Sequence, residues 1–317
     1  MYRLLLKILV SVILLVLIFL NVESKDIFNK LSAISLWAVI GALVCLIIQS
    51  FLVSGRWRII LAKCCRDVPY LEVIKMHYMS LGISIFLPNL IAEPVLKPIL
   101  TRKYNINLTS SLLSVVLDKL FVVSGLIVMT LFVIPIVFIL YHPRYELMLV
   151  YTFMLICIFT VYILFTIIRN YNLWPKFKKY IWKYEIFSNI TNLLILDGSL
   201  IIRCISITII SQVVSTTAFY ILCSAMDAPI SFQECLLLIT PAQLITTLPI
   251  AFNGWGIREI SIIYMLGIVN LPPDTALVLS IQYGLIGILL WSIGLLSWIF
   301  IRPELSFKTE IPQNAIK

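Results

Sequence analysis

Apolar residues run along this chain in long stretches that polar residues interrupt and do not alternate with. A helix needs roughly 18–20 such residues to cross about 30 Å of hydrocarbon. Leu4–Leu20, Leu36–Val53, Ser111–Leu140, Leu147–Ile168, Leu200–Ala225 and Ala276–Ile301 read as six full spans. Transmembrane strands alternate polar and apolar over about ten residues, so continuity excludes a barrel. Two stretches are broken. Ile74–Thr101 is interrupted by Pro88, Glu93, Pro94, Lys97 and Pro98, and Phe232–Val269 by Pro241, Pro249 and Asn253-Gly254-Trp255-Gly256. The pattern predicts an all-α polytopic membrane protein with six full spans and two broken or re-entrant hairpins. The second hairpin has a full pair of spans as its alternative.

Lys and Arg in the loops orient the spans, because they concentrate on the cytoplasmic side. Arg3 and Lys7, then Arg56, Arg58, Lys63 and Arg66, then Arg102 and Lys103, then the loop Arg169–Tyr184, then Arg302 and Lys308 all mark that side. Both termini are therefore expected in the cytoplasm of a multi-pass cell-membrane protein. Basic segments flank the first broken stretch on both sides. It should enter from the cytoplasm and return there, turning near Pro88–Glu93. Three crossings later the second hairpin should enter from outside. The N-terminal span lacks a small-residue cleavage site and is expected to stay attached.

The two hairpins echo each other. Lys97 lies nine positions after Pro88, and Arg258 nine positions after Pro249, each with a glutamate nearby, Glu93 and Glu259. One integral membrane domain over 1–317, with inverted repeat halves 1–140 and 147–301, is the expected organisation, an architecture found in many transporters.

Composition sharpens the class. Apolar residues fill 61% of 317 positions and charged ones 12%. Soluble domains average about 45–50% and about 25%. The net charge of +9 is read as loop residues against lipid headgroups, with no nucleic-acid partner expected. The basic, aromatic loop Arg169–Tyr184 reads as an interfacial amphipathic helix, and Arg203 as a residue snorkelling from a span end. Seven scattered cysteines form no disulfide framework. His77 and His142 have no metal-ligand spacing, and neither is expected in the polar cluster. No cofactor or metal is expected.

Candidate chemistry lies in ionisable groups at membrane depth, which cost about 2.5–3.5 kcal/mol each at the bilayer centre on translocon scales. Glu93 and Lys97 flank a proline-rich break and are either a solvated hairpin tip or functional. Asp118 and Lys119 are adjacent on a helix, point about 100° apart and need separate partners. Asp118 with Lys97, or Asp118 with Arg258, is a plausible ion pair. Arg258 and Glu259 follow Asn253, Gly254 and Gly256. A helix starting at Gly256 would offer free N–H groups to a phosphate, and Arg258 a bidentate fork. The competing reading is a helix cap formed by Glu259.

Leu87-Pro88-Asn89-Leu90-Ile91-Ala92-Glu93-Pro94-Val95-Leu96-Lys97, Val115-Val116-Leu117-Asp118-Lys119-Leu120 and Pro249 through Gly254-Trp255-Gly256-Ile257-Arg258-Glu259 together resemble the lysylphosphatidylglycerol synthase membrane-domain family of flippase-like proteins. Ala92 stands where that family usually has glycine. The resemblance implies a stand-alone module without the soluble aminoacyl-transferase domain, not expected to make lysyl-lipid. It also implies movement of an anionic or aminoacylated phospholipid, or a polyprenyl-linked lipid, between leaflets. Arg258, Lys97 and the helix end at Gly256 would hold phosphate, while Glu93, Asp118 and Glu259 hold those cations or a cationic headgroup. Membrane lipids are the expected partners, with lipid or glycan biosynthesis enzymes as further candidates. A membrane-embedded enzyme or a scaffold subunit of lipid or envelope-glycan synthesis is the alternative. The absence of an Asp-rich motif, a His base in the cluster and a nucleophile elbow favours transport.

Overall fold

The computed structural model describes residues 35–86, 89–141, 198–247 and 252–301. The expected spans Leu4–Leu20 and Leu147–Ile168, the loop Arg169–Tyr184, His142 and the C-terminal basic residues lie outside them. The described residues form eight α-helices and no strand. In chain order these are α1 (Leu36–Cys64), α2 (Tyr70–Ile83), α3 (Asn89–Thr101), α4 (Leu108–Tyr141), α5 (Gly198–Ala225), α6 (Phe232–Thr246), α7 (Ile257–Leu266) and α8 (Pro273–Ile301).

Four helices are long and apolar enough to cross a membrane, over Leu36–Cys64, Leu108–Val137, Gly198–Ala225 and Pro273–Trp298. The other four run 14, 13, 15 and 10 residues. At 1.5 Å per residue they reach about 15–23 Å, short of a bilayer's hydrocarbon. The protein is thus an all-α polytopic membrane protein. Neither leg of the second hairpin is long enough to be a full span.

The spans sort their faces by residue size. On α1, Ala38, Ala42, Leu46, Ser50 and Ser54 recur every fourth position and are buried. Residues four apart stack on one helix face, and small ones let helices approach closely. α1 packs extensively on α5, where Gly41 lies against Ile221. Ile40, Val44, Ile48 and Phe51 turn outward. On α4 the outward face is Leu112, Val116, Leu120 and Val123, and on α8 it is Leu285, Leu289, Ile293 and Leu296. In water these rows would be liabilities; against lipid tails they are the surface that the solvent requires.

One order of elements occurs twice. A long helix leads to two short helices, a single 3₁₀ turn, an asparagine in the left-handed region and a second long helix. In the first instance the turn is Arg102–Tyr104 and the asparagine Asn105, with φ 57°. In the second they are Gly267–Val269 and Asn270, with φ 59°. Asparagine tolerates this conformation better than other residues with a side chain.

Three expectations about helix ends are corrected. α1 does not stop at Val53; it continues to Cys64 and carries Arg56, Arg58 and Lys63 inside the helix. α3 runs through Pro94 and Pro98, so the turn precedes Asn89 and Glu93 and Lys97 are helical. α6 runs through Pro241, and the break follows Thr246. Each proline removes one donor from the ladder. Packed within a protein in a membrane, a helix still satisfies more backbone groups than an open segment does.

Side chains hold the hairpins in place. Tyr104 donates to Glu72 at 2.8 Å and Lys75 pairs with the same carboxylate at 2.7 Å, tying the mouth of the α2–α3 hairpin. Ser231 and Glu234 cap α6 reciprocally, at 3.2 and 2.8 Å. α2 lies directly on α8, where Gly82 faces the backbone of Gly294 and Leu295 and Gly294 faces the carbonyl of Tyr78. Trp298 closes that contact by donating Nε1–H to the Met79 carbonyl at 2.8 Å.

Candidate functional site

The first polar cluster forms where α3 and α4 meet the C-terminal half of α1. Glu93 and Lys97 sit one turn apart on α3, so their side chains share a face, and Lys97 Nζ lies 3.1 Å from Glu93 Oε2. Lys119 reaches the same oxygen from α4 at 2.9 Å. The Lys97 ammonium also rests over the Trp57 ring, 4.5 Å from its centre. Trp57 in turn donates Nε1–H to Ser114 at 3.2 Å.

Asp118 turns the other way, as its position next to Lys119 requires. It pairs with Arg56, Nε to Oδ1 at 2.7 Å, both side chains 1% exposed. Arg56 Nη1 donates to Thr208 of α5 at 2.9 Å, and Arg56 Nη2 is buried without a partner. This corrects two expectations. Asp118 pairs with neither Lys97 nor Arg258, and Arg56 is a buried interior residue. The four-residue stripe of α1 does not point to it, because Arg56 lies about 200° round the helix from Ser54.

The cluster carries three cations, Arg56, Lys97 and Lys119, against two carboxylates, Glu93 and Asp118, an excess of one positive charge. Exposure is uneven. The Lys119 side chain is 36% exposed, Glu93 only 6% and Lys97 none.

The second cluster forms at the tip of the α6–α7 hairpin. Asn253, Gly254 and Gly256 adopt φ of 50°, 78° and 86°, a tight turn into α7. The glycines meet that geometry without a Cβ penalty. Glu259 is fully buried. Its Oε2 accepts the Gly256 N–H at 2.6 Å, and its Oε1 accepts Arg258 Nε at 3.0 Å and Nη2 at 2.6 Å. Ser280 of α8 donates to Oε1 at 3.2 Å. The Gly256 N–H is therefore not free, and the carboxylate of Glu259 occupies the positive end of the helix. Arg258 stacks over Trp255 at 4.3 Å. Gly284 leaves room for it, since a Cβ there would strike the guanidinium.

The clusters converge. Asn253 donates to the Ser84 carbonyl at 2.6 Å, joining the two hairpins. A cavity of about 230 Å³ is bounded by α1, α2, the turn and start of α7 at Trp255 and Arg258, and α8. His77 and Arg258 face it from opposite hairpins. His77 lies close to Lys97, Glu93, Asp118 and Lys119. A histidine thus does enter the polar interior, contrary to the expectation from sequence. Tyr283 extends the polar lining through Ser215 at 2.6 Å to Gln243, which also bonds Gln212. No sequence motif marked Gln212, Gln243 or Tyr283, because single amides and phenols in apolar runs have no spacing of their own. A second, basic cavity of about 550 Å³ opens between the end of α1 and the start of α5, beside Arg58, Lys63 and Arg203. Among the described residues no group of three His, Cys, Asp or Glu is placed to hold a metal ion.

A family model described as the lysylphosphatidylglycerol synthase TM region matches residues 4–295. No curated protein and no solved structure matches the chain.

Proposed function

The chain belongs to the lysylphosphatidylglycerol synthase TM-region family, and on that premise we propose that it moves an anionic phospholipid or polyprenyl-linked lipid between the leaflets of a cell membrane. The family is one of membrane proteins of lipid metabolism or transport. Both termini face the cytoplasm in this reading. The two hairpins, as inverted copies entering from opposite sides, form a polar path for the headgroup while the tails remain in the bilayer.

The observation that carries the reading is the uneven exposure of paired charges. Lys119 is 36% exposed against 6% for Glu93, and Arg258 is 17% exposed against none for Glu259. A headgroup in the path meets Lys119 and Arg258, and the carboxylates of Glu93 and Glu259 stay behind them. One excess positive charge in the first cluster favours an anionic visitor. Buried carboxylates hold the cations extended without a ligand, so that a phosphate exchanges one anionic partner for another. That exchange avoids leaving a bare charge in a medium where bare charges are costly.

The test is leaflet-to-leaflet movement of labelled anionic lipids in proteoliposomes, for wild type and for Arg258→Ala and Glu93→Ala. Protein-dependent movement that is lost in folded variants supports transport. A broad phospholipid and polyprenyl-lipid panel in which nothing moves, with variants as active as wild type in cells, supports a scaffold in lipid or glycan synthesis.

A further inference from the structure

The cavity between the hairpins has a chemistry more specific than a general anion site. Its polar lining consists of Arg258, His77, Gln49, Ser50 and Tyr283, and its aromatic lining adds Trp255 and Trp291. Arg258 is the one guanidinium or ammonium among the lining residues, and no carboxylate is among them. The carboxylate partnered with Arg258, Glu259, is fully buried and spends both oxygens on Gly256, Arg258 and Ser280. The face of Trp255 is taken by Arg258.

An ammonium entering this space would find no counter-charge and the guanidinium beside it. Its desolvation would go uncompensated. A phosphodiester would find Arg258, which binds phosphate oxygens in a planar fork. Uncharged hydroxyls would find an amide, two hydroxyls and an imidazole. His77 Nδ1 is buried without a hydrogen-bond partner, and a buried polar atom left alone calls for one. The volume, about 230 Å³, lies below the roughly 300–1,000 Å³ of pockets that enclose whole drug-sized ligands. It suits a headgroup alone.

We propose that this cavity binds a lipid headgroup made of one phosphodiester and an uncharged polyol, and discriminates against headgroups bearing an amine. Arg258 holds the phosphate, and His77 with Gln49 and Tyr283 holds the hydroxyls. The proposal rests on the transport reading for its role, but the binding preference stands or falls separately.

Purified protein in detergent is titrated with phosphatidylglycerol, lysyl-phosphatidylglycerol, phosphatidylethanolamine and soluble glycerol phosphate, with binding followed by native mass spectrometry. The same lipids, labelled, are followed across proteoliposome membranes. Phosphatidylglycerol is expected to bind at least tenfold tighter than either amine-bearing lipid. That preference should fall to less than threefold in His77→Leu and persist in His77→Gln, which keeps a hydrogen-bonding group. Equal or tighter binding of lysyl-phosphatidylglycerol overturns the proposal even if lipids flip. Glycerol phosphate binding as tightly as the lipid overturns the lipid source in favour of a soluble ligand. The expected preference without movement of any lipid leaves this proposal supported and removes the transport reading. Misfolding of His77→Leu leaves the wild-type lipid comparison to decide.

Discussion

Asn253 Nδ2 donates to the carbonyl oxygen of Ser84 at 2.6 Å, so the tip of one hairpin is hydrogen-bonded to the end of α2 in the other. The contact spans 169 positions of sequence, and Leu81 and Trp255, a few residues from its two ends, line the cavity that holds His77 and Arg258. Asn253 makes it from a backbone φ of 50°, a conformation asparagine adopts more readily than most residues. The joint and the strained turn are one feature.

Two substitutions separate them. Asn253→Gly removes the hydrogen bond and keeps the turn; a loss of about 1 kcal/mol is expected. Asn253→Ala removes the bond and adds a left-handed penalty of about 1–2 kcal/mol. Melting of the purified protein should therefore rank wild type above glycine and glycine above alanine. The reverse order would mean that the turn is not held as described.

Arg56 and Asp118 form a pair with 1% of each side chain exposed. Removing one partner leaves a buried charge and is expected to destabilise by about 3–5 kcal/mol. Arg56→Met and Asp118→Leu should each express poorly in detergent. The double variant should recover much of the loss, since no bare charge remains. A double variant no better than the worse single one would show that the pair does not set the stability here.

Lys97 and Lys119 share Glu93 but differ in burial, none against 36% exposed. Lys97→Met should lower stability more than Lys119→Met, because Lys97 also loses its place over Trp57. Lys119→Met should keep its melting temperature within a few degrees of wild type and slow lipid movement at least tenfold. Comparing melting with flipping rates in the same preparations checks both statements.

Gly284 and Gly294 both lie on α8 and should respond oppositely to a methyl group. At Gly284 the methyl meets the far end of Arg258, which can swing aside. Gly284→Ala should fold normally and lose most of its anionic-lipid binding. At Gly294 the methyl meets the Tyr78 carbonyl, which is backbone, and α2 must separate from α8. Overpacking of this kind costs about 1–3 kcal/mol or more, so Gly294→Ala should lower the melting temperature clearly. Lipid titration and thermal melting of the two variants side by side distinguish them.

The membrane class, the four long helices among the described residues and the two short-legged hairpins were legible along the chain. Hydropathy is a local property, and the bilayer's thickness converts run length directly into crossing or not crossing. Glu93, Lys97 and Asp118, which the sequence places within or beside apolar runs, are buried inside the protein. The 100° between Asp118 and Lys119 correctly assigned them separate partners, because side-chain direction on one helix follows from its pitch.

The identity of those partners was decided only by tertiary structure. Arg56 reaches Asp118, Lys119 shares the Glu93 oxygen with Lys97, and His77 joins the interior through the relative rotation and register of α1, α2, α3 and α4. Each helix's own period leaves that rotation open, and packing of small residues against neighbours settles it. The prolines of α3 and α6 show the same division. Read locally they break a helix; packed among other helices, where water does not compete for the backbone, the helix continues through them.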